Sequence, residues 1–385
     1  MSVQAPIEVI TNGLQLYFDT NNVKSFNGQP TTNAAGSVYL GFSGDRWAKT
    51  TDYPNKGYLP FVLGSDVYRL TNGNNYWGYA SDFGFAYNKT YTLSFWYYVA
   101  TTQNIIWHNS VFGTPAAGGS EYNTVSTKST DTFTTTNNTN GWRFGYVTFS
   151  TNIAVNSYSY FRGTYTGSGT DDTPTGNVYI ANFQLEERSY PTQYTPGTRS
   201  NTNGLLDLTN INTLNLSTAG FDSSANITFN GSTNYINCPT TKTASCTFSC
   251  WAKTTTLASN PMLFNAGTDG GGPDLFFYNN KISWNVWDGD NSPFATTPAS
   301  VTNGNWHNYV VVNDATSNAK LYYDGVLLGT ATYRNASGNT NLTVGGNVAT
   351  YMWNGSIAIF TLHNRVLTPS EILQNYNATR SRFGL

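Results

Sequence analysis

The chain has 385 residues, of which 10% are charged and 15% aromatic, and its formal net charge is -2 at pH 7. A disordered chain would have few aromatic and many charged residues, so this composition predicts a folded protein. The sequence contains no cluster of Lys or Arg to attract a phosphate backbone and no stretch of about 18 apolar residues. We therefore expect that the protein neither binds nucleic acid nor spans a membrane.

The first segment, residues 1–45, has no counterpart of matching length elsewhere in the chain. It is predicted to be an N-terminal arm that docks the protein, or an extra edge strand. Residues 1–8 (MSVQAPIE) lack the basic and apolar regions of a signal peptide, which predicts a protein that stays in the cytoplasm where it is made.

Most of the chain alternates apolar and polar residues over short stretches that end at Gly, Asn, Asp or Pro. This pattern predicts antiparallel strands, among them 91–99, 141–150, 178–185, 308–313, 320–323 and 326–328. One helix is predicted near the end of the chain. Thr368 is its N-cap, Pro369 its first residue and Glu371 the partner in a capping box, followed by an apolar stripe of Ile372, Leu373 and Tyr376.

Four motifs occur twice, in the same order, 155 to 177 residues apart. The pairs are 72–76 with 230–235, 91–96 with 246–251, 140–142 with 303–306, and 177–188 with 354–365. The last pair shares six identical positions. The chain is therefore predicted to be all-β, with two tandem antiparallel β-sandwich (jelly-roll) domains, at 46–198 and 199–385, and a short C-terminal helix.

Three cysteines lie close together at Cys238, Cys246 and Cys250. Cys246 and Cys250 fall on one side of a predicted strand, too far apart for a disulfide. We expect three free thiols, with a cross-strand pair to Cys238 as the alternative.

The acidic and histidine residues do not predict catalysis. A glycosidase needs two carboxyl groups about 5 to 9.5 Å apart, whereas the adjacent Glu186 and Glu187 should point to opposite faces of a strand. No nucleophile turn accompanies His108, His307 and His363, so these histidines are predicted to be structural or exposed.

Aromatic residues that occur in only one copy are the candidates for ligand binding. Trp96, Trp142, Trp251 and Trp306 occur in both copies and are predicted to pack inside the sandwiches. The candidate glycan-binding residues are Trp284, Trp287, Asp288, Asp290, Asn291, Tyr351 and Trp353. The alternative is burial against another subunit, where Tyr and Trp are also enriched. Burial is the favoured interpretation for the first-half set, Trp77, Tyr79 and Trp107.

Four aspartates form a candidate metal site. Asp288 and Asp290, with Asp269 and Asp274, offer the oxygen ligands that Ca²⁺ prefers. Aspartate beside Gly or Asn is also common in ordinary turns. No cofactor other than calcium is predicted.

The second half resembles concanavalin A-like, laminin-G-like jelly rolls in residues 227–235, 248–251, 305–307, 321–329 and 357–360. In the first half, residues 179–187 with 190–194 resemble the closing strand of carbohydrate-binding-module jelly rolls. The segments 11–19, 24–26, 29–33 and 367–376 are similar to segments of tailed-bacteriophage structural proteins that carry such domains.

This resemblance implies a non-enzymatic virion protein, either a capsid decoration protein or a tail or fibre component. Its expected partners are other virion proteins, copies of itself and host-surface glycans, and it would assemble into the virion in the host cytoplasm. The alternatives are a bacterial carbohydrate-binding protein or accessory module of a glycoside hydrolase, and a structural cement protein without a ligand.

Overall fold

The computed structural model describes residues 8–22, 24–32, 40–41, 47–61, 63–70, 78–80, 89–99, 105–107, 133–135, 141–150, 159–161, 178–222, 226–258, 260–267, 273–284, 293–335, 337, 341–347 and 351–385. The chain divides into two compact units. The central unit is Thr31–Arg199, and the C-terminal unit combines Met1–Pro30 with Ser200–Leu385. Within the described ranges, no helix has the length and apolarity that a bilayer span requires.

The strands are short and are numbered along the chain. The first belongs to the C-terminal unit and the next twelve to the central unit: β1 (Leu14–Asp19), β2 (Thr31–Thr32), β3 (Leu40–Gly41), β4 (Trp47–Thr50), β5 (Val67–Leu70), β6 (Gly78–Ala80), β7 (Thr90–Val99), β8 (Ile105–Trp107), β9 (Phe133–Thr135), β10 (Arg143–Ser150), β11 (Ser159–Phe161), β12 (Val178–Glu186) and β13 (Thr198–Arg199). The rest belong to the C-terminal unit: β14 (Gly220–Phe221), β15 (Ile227–Asn230), β16 (Ile236–Asn237), β17 (Cys246–Lys253), β18 (Met262–Asn265), β19 (Asp274–Tyr278), β20 (Lys281–Trp284), β21 (Pro293–Thr296), β22 (His307–Asn313), β23 (Asn318–Tyr323), β24 (Val326–Thr332), β25 (Thr343–Val344) and β26 (Asn354–His363). Helix α1 (Pro369–Thr379) follows, and 3₁₀ turns lie at Ala299–Thr302 and Arg380–Phe383.

The C-terminal unit is a sandwich of two antiparallel sheets. The larger sheet has the strand order β14-β15-β26-β17-β22-β23-β24, with β1 paired to β26 as its eighth strand. The smaller sheet has the order β16-β25-β18-β19-β20-β21. Alternate side chains of both sheets meet in one buried core, which includes Phe248, Phe264, Phe277, Trp284 and Phe360. The predicted all-β class, antiparallel pairing and short C-terminal helix are confirmed.

The N-terminal segment differs from its prediction as an arm ending at residue 45. Strand β1 pairs antiparallel with β26, placing Phe18 beside Phe360, and both side chains are fully buried. Residues from Thr31 onward belong to the central unit instead. The alternative prediction, that this segment supplies an extra strand, agrees with the pairing of β1.

The central unit contains a five-stranded sheet of order β10-β7-β12-β5-β4. Smaller groups of strands are β11-β6-β3, β13-β2 and β8-β9. One face of the five-stranded sheet carries a cluster of Tyr98, Trp142, Tyr179 and Ala181, against which Tyr53, Leu59, Phe61 and Trp96 pack.

The two copies use the same strand order and register. The order β10-β7-β12-β5 in the central unit matches β22-β17-β26-β15 in the C-terminal unit. Ser94 faces Gln184, and the equivalent Ser249 faces Thr361. The repeated closing strand also has a register shift, typical of a β-bulge, in each copy. The sequence repeat therefore corresponds to a repeated three-dimensional unit.

Helix α1 begins as predicted. Thr368 is the N-cap, and its side chain accepts a hydrogen bond from the Glu371 N–H. The Glu371 carboxylate in turn accepts a hydrogen bond from the Thr368 backbone N–H. Ile372 is buried against the large sheet, but Leu373 is 48% exposed, so the predicted apolar stripe is only partly covered. All three cysteines are free and buried, which confirms the prediction of free thiols.

Candidate functional site

The predicted ligand residues of the C-terminal unit lie in or beside connections of the six-stranded sheet. Trp287, Asp288, Asp290 and Asn291 fall between β20 and β21, and Asp269 falls between β18 and β19. All five lie outside the described residues. The described members of the predicted set are Trp284, Tyr351, Trp353 and Asp274.

Trp284 and Trp353 are core residues, so the prediction that they bind a glycan is wrong. Both are fully buried. The Trp284 indole donates a hydrogen bond to the Asn313 side-chain oxygen at 3.2 Å, and the Trp353 ring lies 5.6 Å from that of Phe277. Trp284 shares the inward face of β20 with Ile282, an alternation visible in the sequence. Absence from the other copy therefore does not indicate that these two rings are exposed.

Tyr351 is the described candidate whose ring reaches solvent, with 36% of the residue exposed. Its φ of 54° is in the left-handed region, which is rare for an aromatic residue. The ring packs edge-on against Phe276 at 5.1 Å, and Phe276 stacks on Tyr278 at 5.7 Å. Phe276 and Tyr278 alternate with core residues of β19, so the three rings lie on the outer face of the six-stranded sheet.

A row of polar side chains crosses the same outer face. Thr343 pairs with Asn265, and Asn265 pairs with Asp274 on the next strand. Their residues are only 8%, 7% and 3% exposed. Asn265 accepts a hydrogen bond from the Gly267 N–H at 3.0 Å, whereas Oδ1 of Asp274 and the Ser283 hydroxyl have no hydrogen-bond partner among the described residues. Burying a carboxyl oxygen without a hydrogen-bond partner is costly.

Burial raises the pKa of Asp274 from 3.8 to about 8, and the Ala266 backbone N–H opposes this shift only in part. A nearby cation would reverse the shift by favouring the carboxylate. The described residues contain no group of three His, Cys, Asp or Glu side chains placed to hold a metal. Asp274 could therefore supply one ligand of a Ca²⁺ site, and the other three predicted ligands lie outside the described ranges.

The described glutamates of the closing strand have structural roles. Glu186 is fully buried and accepts hydrogen bonds from the Thr31 hydroxyl at 2.8 Å and from the Thr192 hydroxyl and N–H at 2.6 and 2.9 Å. Glu187 is exposed and pairs with Lys89 at 2.6 Å. Their predicted orientation on opposite faces is confirmed, which separates these two carboxyl groups.

The histidines also hold backbone segments. His307 contacts the Asp324 carboxylate at 2.8 Å, and Asp324 forms part of the β23–β24 turn. His363 contacts the Ile10 carbonyl at 3.0 Å through Nε2. His108 lies outside the described residues. The structural role predicted for His307 and His363 agrees with these contacts.

A second feature of the C-terminal unit is a small cleft beside the end of the chain. Its volume is about 180 Å³, and its walls include Asn21, Asn226, Trp306 and Phe383. Sequence reasoning assigned Trp306 to internal packing and did not find this cleft. The Trp306 ring centre lies 5.0 Å from that of Phe383 and 5.0 Å from the Lys253 ammonium. Since both groups pack on the ring, we do not take the cleft as a sugar site.

Comparison with known proteins gives a family match for part of the chain. Residues 230–373 match the Laminin_G_3 model of the concanavalin A-like lectin/glucanases superfamily. No curated protein matches the chain. Similar solved structures include the binding domain of botulinum neurotoxin serotype D, at 15% identity and a TM-score of 0.38 over 47% of this chain and 50% of that one. Another is a Trypanosoma rangeli sialidase in complex with the inhibitor DANA, at 19% identity and a TM-score of 0.35 over 44% of this chain and 30% of that one.

The chain thus spans about half the length of the toxin domains that it matches. The family match covers 230–373, from the end of β15 into α1. This part of the C-terminal unit therefore resembles laminin-G-like domains of the concanavalin A-like lectin and glucanase type.

Proposed function

We propose that this chain is a non-enzymatic surface protein of a bacteriophage virion, and that its C-terminal unit binds glycans on the host surface. The observation that carries the glycan proposal is the outer face of the six-stranded sheet. There, the partly exposed Tyr351 ring lies on the same face as the buried polar row of Thr343, Asn265 and Asp274. Tyr351 offers the stacking surface, and the buried row on the same face holds the carboxyl group of Asp274.

Tyr351 is suited to stacking because contacts with neighbouring residues fix the position of its ring. Phe276 is only 2% exposed and meets the Tyr351 ring edge-on, while the Tyr351 carbonyl accepts a hydrogen bond from the Met262 N–H at 2.7 Å. A ring held in this way loses little freedom when a pyranose packs on it. Trp287, Asp288, Asp290 and Asn291 lie in the connection after β20, a strand of this same sheet.

Calcium has a place in this proposal through Asp274. The carboxyl oxygen without a partner would become a metal ligand, with Asp269, Asp288 and Asp290 as the other acidic ligands. Such a site would hold the two connections together and orient their side chains, as Ca²⁺ suits flexible sets of oxygen ligands.

The absence of catalysis is proposed from the roles of the described acidic groups. Glu186 is committed to buried hydrogen bonds, Glu187 to Lys89, and Glu371 to the cap of α1 and to Arg365 at 2.6 Å. These roles do not supply a pair of carboxyl groups facing a common substrate.

The virion location is proposed from the sequence segments similar to phage structural proteins, together with the low charge. Its partners would be other virion proteins and further copies of the chain, whether in a capsid or a tail. Locating the chain in a phage particle by cryo-electron microscopy tests this part, and a genomic setting among secreted bacterial glycoside hydrolases would contradict it.

Glycan binding is tested on a glycan array with the wild type, Trp287→Ala and Tyr333→Ala. Tyr333 is a matched aromatic control that follows the edge strand β24 and bonds to Asn335 at 3.2 Å. We expect the wild type and the control to bind the same glycans and Trp287→Ala to lose them. If the wild type binds no glycan, the chain acts as a structural cement protein instead.

A further inference from the structure

The five-stranded sheet of the central unit has one face that the described residues cover only in part. The segment before β5 packs on this face through Tyr53 and Phe61, and the Trp142 indole donates a hydrogen bond to the Pro54 carbonyl at 2.9 Å. Phe61 stacks on Trp96 with ring centres 4.5 Å apart. Ser94 and Thr92 of β7 are also buried on this face, so the part that the described residues leave uncovered lies at the edge strand β10.

Beyond the stack, the aromatic row continues into solvent. Phe144 lies opposite Trp96 with ring centres 5.5 Å apart, and the next ring on the same face, Tyr146, is 6.4 Å from Phe144. Phe144 is 42% exposed and Tyr146 is 48% exposed. A single exposed aromatic residue needs no explanation, but these two rings extend a contiguous row of four.

The other copy of the unit shows what covers the equivalent positions there. By register, Tyr146 faces Ser94 and corresponds to Val310, which faces Ser249. Val310 is 2% exposed and packs in a cluster with Leu367 and with Ile372 of α1. Among the described residues after β12, the central unit has no helix in this place. Among the described residues, this part of the face is thus closed by a helix in one copy and open in the other, and it carries Phe144 and Tyr146 where the closed copy has Asn308 and Val310.

The exposed area of Phe144 and Tyr146 is by itself too small for a stable protein interface. A side chain of this kind buries about 150–250 Å² in full, so exposures of 42% and 48% leave roughly 200 Å² of ring surface. A specific protein contact needs about 800 Å² from each partner. Two rings about 6 Å apart instead match the size of adjacent sugar rings, whose apolar faces can stack on aromatic ones.

The neighbouring groups indicate what kind of sugar. The residues paired with this part of β10 are Trp96 and the buried Ser94 and Thr92, and none carries a charge. Glu186, which pairs with Thr92 from the other side, is fully buried and so presents no charge at the surface. Thr148 adds a hydroxyl on the same face, 2.9 Å from that of Thr92. We infer that Phe144 and Tyr146 form a second carbohydrate-binding surface, on the central unit, that takes an extended neutral glycan. This surface is independent of the site at Tyr351.

The test is native electrophoresis of the full chain in gels that contain dextran, xyloglucan, galactomannan or laminarin. We compare the wild type, the double variant Phe144→Ala with Tyr146→Ala, Tyr351→Ala, and Tyr58→Ala. Tyr58 is a control in the same unit, as it is 85% exposed. We expect at least one polymer to retard the wild type, Tyr351→Ala and Tyr58→Ala, and to bind the double variant at least about tenfold more weakly.

Three outcomes would overturn the inference: no retardation of the wild type by any of these polymers, equal retardation of the double variant, or loss of retardation in Tyr351→Ala alone. The last result would support only the site on the C-terminal unit. Sedimentation velocity distinguishes a protein interface. If the double variant changes the state of association and leaves retardation unaltered, the surface joins copies of the chain and does not bind sugar.

Discussion

Asp274 should make the stability of the C-terminal unit depend on pH in a direction opposite to that of an ordinary ion-paired aspartate. Burial raises the pKa of this carboxyl from 3.8 to about 8. Between these values the folded protein holds one more proton than the unfolded chain, so its stability falls as pH rises. The contribution is fully present below about pH 4 and is lost as pH approaches 8.

The slope of this dependence is about 1.4 kcal/mol per pH unit for one proton. Between pH 5 and pH 7 the free energy of unfolding should therefore fall by about 3 kcal/mol. For a unit of this size that is on the order of 6–12 °C in melting temperature. The variant Asp274→Asn keeps the shape of the side chain but cannot titrate, so it should lack this part of the pH dependence and be the more stable protein at pH 7.

The assay is differential scanning calorimetry of both proteins in EDTA at pH 5, 6 and 7, and the observable is the difference between them. Equal pH slopes for the wild type and Asp274→Asn would refute the reasoning. Adding Ca²⁺ at pH 7 then tests the metal proposal with the same pair. A metal held by Asp274 should raise the melting temperature of the wild type much more than that of the variant, and equal shifts would remove calcium from the proposed site.

Three further expectations concern the frame of the C-terminal unit. Trp353→Ala should lower the free energy of unfolding by about 3–5 kcal/mol, because the ring is fully buried, and a urea midpoint like that of the wild type would contradict this. Cys238, Cys246 and Cys250 should not react with Ellman's reagent until the protein unfolds, since burial raises the pKa of each thiol; rapid labelling of the native chain would argue against it. Thr368→Ala should cost about 1 kcal/mol through loss of the cap on α1, measured by thermal melting against the wild type.

The sequence repeat predicted more of the fold than the strand patterns alone. Matched motifs implied matched strands, and the structure gives the two copies one strand order and one register. The cap of α1 was also predictable, because Thr368, Pro369 and Glu371 act within one turn. Local patterns of this kind involve residues that are close in the sequence, so they do not depend on the rest of the fold.

Long-range partners were not predictable in this way. Nothing in the alternation of β1 indicates that it pairs with β26, more than 300 residues later. The candidate site was only partly found for a related reason. Absence from the other copy does not by itself indicate exposure, because Trp284 and Trp353 are unduplicated and fully buried. The inward alternation of Ile282 with Trp284 was the better signal.

The exposed pair Phe144 and Tyr146 was not predictable from the sequence pattern. Both lie on a predicted strand, in alternate positions, where apolar side chains normally indicate a buried face. Their exposure follows from the lack of a covering helix among the described residues, a fact of tertiary structure.

Glycan recognition by the C-terminal unit is decided by isothermal titration calorimetry of the best array ligand against the full-length wild type, Tyr351→Ala and Tyr333→Ala. Tyr351 is 36% exposed and packs edge-on against Phe276, so its truncation should remove stacking surface and leave the fold intact. We predict a dissociation constant at least about tenfold weaker for Tyr351→Ala, the equivalent of about 1.4 kcal/mol, and an unchanged value for Tyr333→Ala. Equal affinities for all three proteins would show that the outer face of the six-stranded sheet is not where the sugar binds.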